Sequence, residues 1–318
     1  MQTRTPQAAR SASAKDGASQ SVFANMHKPI PDRRYAASGM TTTVASRSIE
    51  GQQEMSKPPA FSLCRIAAIS DIHGNLAALE AVLEDIGKRG CDLIVNLGDI
   101  LSGPLQPAET AARLMTLDLP TIRGNHERQL LEQAPERMGA SDAYARARLT
   151  DKQMDWLRAL PTHLRLDPGL HLCHGTPRSD LEYFLEDIDA AGTRVAASDL
   201  VHERAGDVDA EVILCGHTHM PRSMQLADGR LVVNPGSVGL QAFAWDDHPY
   251  PHVMETGSPH ARYALLERGA CGWTVAHIAV AYDWACAARL AEQRGRPEWA
   301  HALRHGRMPT PALQENAA

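Results

Sequence analysis

Apolar and polar residues follow one another from residue 64 onwards in blocks that predict alternating strands and helices. The apolar runs CRIAAIS (64–70), DLIVNLGD (92–99) and PTIRGN (120–125) are typical of buried strands. Between them, NLAALEAVLEDIGKRG (75–90) places leucine, valine and isoleucine on one stripe of a helix, and PAETAARLMTL (107–117) is also helical. This βαβαβ order predicts an α/β fold with parallel strands joined by helical crossovers.

The second half of the chain continues the mixed pattern. Helices are predicted for residues 141–160 and 180–205, strands for 170–175 and 211–215, a hairpin around Asp228-Gly229 for 222–238, two strands joined at residues 269–272, and two short helices after residue 282. Residues 241–261 lack a clear period and predict a long loop. That loop is either an exposed insertion or a rim that shapes substrate choice.

The first 58 residues differ from the rest of the chain, because they are rich in Ser, Thr, Ala and Gln and show no apolar period. Such a composition cannot bury enough apolar surface to fold, so we expect a disordered extension over 1–58 and one domain over 59–318. A transit peptide is an alternative interpretation, and translation from Met55 is another.

Charge and cysteine content restrict the partners and the compartment. The net charge is −6 although the first 58 residues hold eight Lys/Arg and four Asp/Glu, so the predicted domain is acidic and no stable nucleic-acid complex is expected. Six cysteines form no CxxC pair, and Cys173 and Cys215 are expected in the core rather than on a metal. Without an apolar run long enough for a bilayer or a secretory signal, we expect a cytoplasmic protein with no membrane partner.

Candidate ligands stand where the predicted strands end. They are Asp71, His73, Asp99, Asn125, His126, His174, His217 and His219. Because ligands of an open parallel sheet bind beyond the carboxyl ends of its strands, these side chains should converge. Extended backbone would point residues i and i+2 to one side, so the pairs at 71/73 and 217/219 could each address cations from one strand end.

The ordered set Asp-x-His, Gly-Asp, Gly-Asn-His, His-Gly and Gly-His-x-His resembles the calcineurin-like metallophosphoesterase superfamily across residues 64–310. NPGSVG (234–239) and the last helical segment are similar to its small bacterial and archaeal phosphodiesterases. The resemblance implies a four-layer αββα sandwich carrying two divalent metal ions. It further implies the following roles: Asp71, His73 and His219 on the first metal, Asn125, His174 and His217 on the second, Asp99 bridging both, and His126 over the phosphate as the catalytic residue.

These implied roles suit phosphoester hydrolysis. Two neighbouring cations can clamp a phosphate, and a hydroxide between them can attack phosphorus while His126 protonates the leaving oxygen. Imidazole and carboxylate ligands without thiolate favour Mn, Fe, Zn, Ni or Co over Mg or Ca, and the sequence leaves the choice among these five metals open.

The bond that is cleaved is less constrained. Residues 98–107, GDILSGPLQP, lack the Asp-Arg pair with which related phosphatases grip a phosphate monoester. We therefore expect hydrolysis of a phosphodiester or pyrophosphate-type bond in a small substrate. The alternatives are a monoesterase similar to Ser/Thr protein phosphatases, a dinucleoside-polyphosphate hydrolase, and a metal-binding scaffold without catalysis.

Overall fold

The computed structural model describes residues 65–166, 169–246 and 248–310. The predicted disordered extension over 1–58 and the predicted domain start at residue 59 lie outside these residues. The strands are β1 (Arg65–Ile69), β2 (Leu93–Asn96), β3 (Leu164–Leu166), β4 (Leu170–Leu172), β5 (Glu186–Asp189), β6 (Gly192–Val195), β7 (Val212–Leu214), β8 (Arg222–Gln225), β9 (Leu231–Asn234), β10 (Ala242–Trp245), β11 (His252–Glu255), β12 (Ala261–Gly269) and β13 (Gly272–Val280). The α-helices are α1 (Leu76–Arg89), α2 (Pro107–Leu114), α3 (Asn125–Glu132), α4 (Ala140–Arg146), α5 (Asp151–Ala159), α6 (Ser198–Ala205), α7 (Trp284–Gln293) and α8 (Pro297–His305), and a 3-10 turn spans Pro135–Arg137.

The first large sheet has the strand order β13-β12-β1-β2. Strands β1 and β2 are parallel, as the βαβ pattern predicts, and α1 connects them. Helix α1 begins where the Asn75 side chain accepts a hydrogen bond from the Ala78 amide, and it ends at Gly90, whose φ of 71° few other residues adopt. The long strand β12 pairs with β1 in antiparallel fashion, and β13 pairs with the other side of β12, again antiparallel.

The second large sheet has the order β3-β4-β7-β9-β8. Its three central strands are parallel, so their carboxyl ends meet at one edge, and both edge strands are antiparallel. The predicted hairpin over 222–238 is confirmed as β8 and β9, with Gly229 at a φ of 93° in the turn.

The two sheets pack face to face, and helices cover their outer faces. In β1, Ile66 and Ala68 join a core cluster with the second sheet, whereas Ala67 and Ile69 join a cluster formed with helices α1, α2 and α5. On the far side, Val201 of α6 packs in a cluster with alternate residues of β7 and β9. The expected four-layer αββα arrangement is therefore confirmed.

The predicted strand over 120–125 is wrong except at one residue. Thr121 makes a single parallel bridge to Asn96, and the chain then enters α3 at Asn125. Pro120 cannot donate a ladder hydrogen bond, and the Glu127 carboxylate captures the Gly124 amide to start the helix. The segment consequently delivers Asn125 and His126 on the first turn of a helix.

The predicted helix over 180–205 is also wrong in its first part. Residues 186–195 form the antiparallel hairpin β5–β6, and only α6 is helical. Gly192, with a φ of 110°, turns the chain, and Arg194 pairs with Asp187 and Asp189 in the opposite strand. Cross-strand ion pairs and this glycine outweigh the helical composition of the segment.

Candidate metal centre

The predicted ligands at the ends of β1, β2 and β7 lie on strained backbone. Among the described residues, six non-glycine residues have a positive φ, and five of them are predicted ligands: Asp71 (54°), His73 (51°), Asp99 (53°), His217 (69°) and His219 (60°). The expectation that these side chains project from extended backbone is therefore wrong. Each left-handed residue costs about 1–3 kcal/mol and persists only where neighbouring contacts hold it.

Hydrogen bonds between loops hold this backbone in place. The amides of Asp71 and His73 donate to the carbonyls of Gly98 and Asp99 respectively, both at 3.0 Å. These bonds connect the loop that follows β1 to the loop that follows β2. A hydrogen bond of 2.9 Å from the Gly239 amide to the Asp71 carbonyl ties in the segment after β9. The loops therefore fix one another rather than standing as independent turns.

Glu127 is a second tie between loops, and the sequence analysis assigns it no role. Its buried carboxylate accepts hydrogen bonds of 2.8 to 2.9 Å from the amides of Asp99, Ile100 and Gly124. Burial and the nearby Asp99 raise the pKa of Glu127 above its ordinary value. The sequence did contain an indication of this role, because Glu127 stands three residues after Gly124, the N-cap residue of α3. At that position a glutamate side chain accepts a hydrogen bond from the N-cap amide.

Six predicted ligands form two buried clusters, each with potential ligand atoms within 4.8 Å of one another. The first holds Asp71, His73 and His219, and the second holds Asp99, His174 and His217. In the first cluster, Nε2 of His73 lies 3.0 Å from Nε2 of His219, which in turn lies 3.5 Å from Oδ1 of Asp71. In the second, Nε2 of His174 lies 3.0 Å from Oδ2 of Asp99.

Backbone carbonyls fix which ring nitrogen of each histidine faces the centre. Nδ1 of His73, His174 and His219 donates to the carbonyls of Ser102, Leu97 and Leu240 respectively, each at 2.7 Å. His217 is reversed, since its Nε2 donates to the Leu181 carbonyl at 3.1 Å. The remaining nitrogen of each neutral ring therefore presents a lone pair, which is how metal-binding histidines are oriented.

These lone pairs fit a cation. Two neutral imidazole nitrogens facing each other at 3.0 Å have no hydrogen to share, because His73 and His219 donate their N–H groups to carbonyls. Two nitrogens bound about 2.0–2.1 Å from one ion at roughly a right angle lie about 3 Å apart. The donor set of imidazole and carboxylate is one that divalent transition metals accept.

Asn125 lies beside the second cluster. Its Oδ1 is 3.1 Å from Nε2 of His174, and the same position lies 3.0 Å from Nδ1 of His217 and 3.2 Å from Oδ2 of Asp99. Rotating the amide would place its NH₂ group there, within hydrogen-bond distance of all three atoms, and its two N–H groups could then donate to His217 and Asp99. A cation in the second cluster favours the oxygen inward, and an ion-free cluster favours the nitrogen.

Burial keeps most of these histidines neutral. It lowers the pKa of His73 to about 4 and that of His217 to about 3, and it lowers the pKa of His219 well below the ordinary value. His174 differs from the other three. Burial lowers its pKa, but the neighbouring Asp99 carboxylate outweighs this effect and raises the pKa to about 10. A cation in the second cluster would replace the proton between His174 and Asp99.

His126 belongs to neither cluster but lies against the first. Its ring centroid is 5.4 Å from that of His73, and its backbone amide donates to Oδ1 of Asp99 at 2.9 Å. Nδ1 of His126 donates to Oδ1 of Asp142 at 2.9 Å. Burial lowers the pKa of His126, but Asp99 and Asp142 raise it to about 9. Asp142 was not predicted from the sequence, because nothing in the spacing connects α4 to the strand ends.

A cavity of about 500 Å³ opens over the two clusters. One wall is strand β10, which pairs with β11 in an antiparallel hairpin, so the predicted loop over 241–261 is wrong over these two strands. Phe243 packs edge-on against His219 with centroids 4.7 Å apart, and Trp245 packs against His217 at 5.7 Å. Helix α8 supplies another wall, with Trp299 6.0 Å from His73. Aromatic rings thus surround the polar floor.

Cys173 and Cys215 take no part in either cluster. Both are fully buried in the core cluster between the second sheet and α6, as expected from the sequence. Burial raises the pKa of both thiols, so neither is a thiolate at neutral pH. In the part of the chain that the structure describes, no helix has the length and apolar character needed to cross a bilayer.

Comparison with known proteins identifies relatives of this chain. A sequence model of the calcineurin-like phosphoesterase superfamily domain matches residues 64–255, more than half of the chain. An uncharacterized protein of Methanocaldococcus jannaschii is 27% identical over 198 residues, which are 55% of this chain and 76% of that protein. The crystal structure of a metallophosphoesterase from Sphaerobacter thermophilus shares 26% identity at a TM-score of 0.60, covering 77% of this chain and 100% of that one.

Replacement of Glu127 by glutamine should weaken the centre without touching a ligand. The amide keeps the size of the side chain but has one acceptor oxygen for three backbone donors, so stability should fall by about 1–3 kcal/mol. Metal affinity should fall about 10–100-fold, as for other groups that orient ligands. Urea unfolding and calorimetric titration with Mn²⁺ measure both quantities. Glu132→Gln, at the exposed end of the same helix, is the control, and equal behaviour of the two variants would contradict this role for Glu127.

Proposed function

The chain belongs to the calcineurin-like phosphoesterase superfamily, and from this membership we propose that it is a dinuclear metal-dependent phosphodiesterase acting on small substrates. Membership itself supports a hydrolase acting on phosphoesters. The observation that supports a dinuclear centre is the pair of adjacent, buried clusters of histidine and aspartate at the floor of an open cavity. Two ions held there would supply activation of water and neutralisation of charge on the phosphate oxygens.

The residues of the chain have distinct parts in this proposal. Asp71, His73 and His219 would hold one ion, and His174, His217 and Asn125 the other, with Asp99 bridging the two. His126 would deliver a proton to the leaving oxygen, since its Nδ1 is fixed by Asp142 and its Nε2 has no partner among the described residues. Water adds to phosphorus, the bond to the leaving oxygen breaks, and a monoester and an alcohol are formed.

Two features favour a diester over a monoester. Among the described residues that line the cavity, Arg296 is the only Lys or Arg, and it contacts Glu298 and Ser141 rather than any ligand of either cluster. A dianionic monoester gains more than a monoanionic diester from a guanidinium that contacts the scissile phosphate. In addition, the walls bearing Phe243, Trp245 and Trp299 offer apolar contact for a second ester substituent.

Manganese and a cytoplasmic location belong to the same proposal. The mixed imidazole and oxygen donors suit Mn²⁺ among other transition ions. The five cysteines within the described residues are free, which is compatible with a reducing compartment.

Hydrolysis of bis(p-nitrophenyl) phosphate and p-nitrophenyl phosphate with added Mn²⁺ tests the type of ester. We expect kcat/KM for the diester to exceed that for the monoester by at least about tenfold, a difference of about 1.4 kcal/mol in transition-state binding. Preference for the monoester would favour the monoesterase alternative. A fully metal-loaded protein inert towards both compounds would favour the non-catalytic scaffold.

Replacement of His126 by alanine should reduce turnover by about 10²–10⁴-fold and leave the bound metal nearly unchanged, because His126 lies outside both clusters. Turnover of the diester and elemental analysis of the same preparation measure the two effects. His202→Ala, an exposed histidine on α6, is the control. Loss of metal from the His126 variant, or full activity, would contradict its assigned role.

A further inference from the structure

We propose that Arg296 binds a second anionic group of the substrate, so that the preferred substrates are phosphodiesters carrying a further phosphate on one ester substituent. This inference rests on the proposed phosphodiesterase function. It concerns a part of the chain beyond residues 64–255, where the superfamily match ends. Helix α8 and the residues flanking it therefore add to the centre a wall that the matched segment does not include.

The guanidinium of Arg296 is held in place before any ligand arrives. Its Nε forms an ion pair with Glu298, and its Nη1 donates to the Ser141 hydroxyl of α4 at 3.2 Å. The guanidinium carbon lies 5.7 Å from the ring of Trp299. With only 21% of its side chain exposed, Arg296 is a partly buried and oriented donor rather than a mobile surface cation.

One end of this guanidinium remains available. Within the described residues, the hydrogen bonds of Arg296 use Nε and Nη1, which leaves Nη2 for a ligand in the cavity. Glu298 already serves Nε, and the other carboxylate outside the metal clusters that lines the cavity, Asp246, belongs to the hairpin wall. An anionic oxygen is the acceptor that gains most from such a charged N–H donor.

Trp299 lies close both to Arg296 and to the metal centre. Its ring lies 6.0 Å from that of His73 and packs on Gly103, where an added Cβ would lie only 2.9 Å from the indole. Trp299 therefore lies near both the first ligand cluster and the Arg296 guanidinium, and the hydrogen bonds of Arg296 within the described residues go to Glu298 and Ser141 rather than to a ligand of either cluster. A substrate whose scissile phosphate binds at the ions would contact Arg296 through a different group. A second phosphate on one ester substituent would supply the negative charge for that contact.

Two thymidine compounds that differ in one phosphate test this proposal. They are thymidine 5′-(p-nitrophenyl phosphate) and the same compound with an added 3′-phosphate, and the products are separated by chromatography. We expect the Mn²⁺-loaded protein to hydrolyse the 3′-phosphorylated compound with a kcat/KM about tenfold higher, the value of one charged hydrogen bond. In Arg296→Gln that ratio should fall to about one, and in Arg296→Lys it should be intermediate.

The matched control is Arg304→Gln, which removes an arginine of α8 from an exposed ion pair with Glu292 and should leave the ratio unchanged. A ratio near one in the unmodified protein would overturn the proposal. So would equal losses for both compounds in Arg296→Gln, because Arg296 would then serve the scissile phosphate. Absence of hydrolysis of either compound and of bis(p-nitrophenyl) phosphate would instead overturn the phosphodiesterase function itself.

Discussion

The centre depends on left-handed backbone that only contacts between loops can sustain. Asp71, His73, Asp99, His217 and His219 all have a positive φ, a conformation that none of them adopts readily alone. The carboxylate of Glu127 and the amide-to-carbonyl hydrogen bonds between neighbouring loops keep the strained backbone at Asp71, His73 and Asp99 in place. Close approach is part of the same arrangement, because a Cβ at residue 124 would collide with Asp99. Side-chain positions in the centre therefore follow from the way the loops lock together.

The contacts between the loops bring several hydrogen-bond acceptors together in a buried site. Four histidines each donate one N–H group to a backbone carbonyl, so their opposite nitrogens converge among the carboxylates of Asp71 and Asp99. These nitrogens present lone pairs at His73, His217 and His219, whereas at His174 a proton lies towards Asp99. Acceptors packed this closely in a buried site repel one another unless a proton or a metal ion lies between them. Cations bound there would relieve this repulsion, and the shape of the loops would in that way be coupled to the phosphoester chemistry of the superfamily.

Much of this could be predicted from the sequence, because parallel strands bring their carboxyl ends together whatever the details of the loops. Asp-x-His after β1 and His-x-His after β7 were sufficient to nominate ligands, and His217 and His219 do fall in different clusters. The backbone conformation could not be predicted, since positive φ at Asp or His leaves no local signature. Asp142 and Arg296 also escaped prediction: Asp142 lies in α4 and Arg296 directly precedes α8, and the docking of these helices is set by packing, not by a motif.

Anomalous diffraction from crystals grown with Mn²⁺ tests the central claim most directly. The account predicts two peaks about 3.5–4 Å apart. One should lie among Asp71, His73 and His219, the other among His174, His217 and the Asn125 oxygen, with Asp99 contacting both. A single peak, peaks outside these clusters, or an ion-free centre at saturating Mn²⁺ with active protein would contradict it.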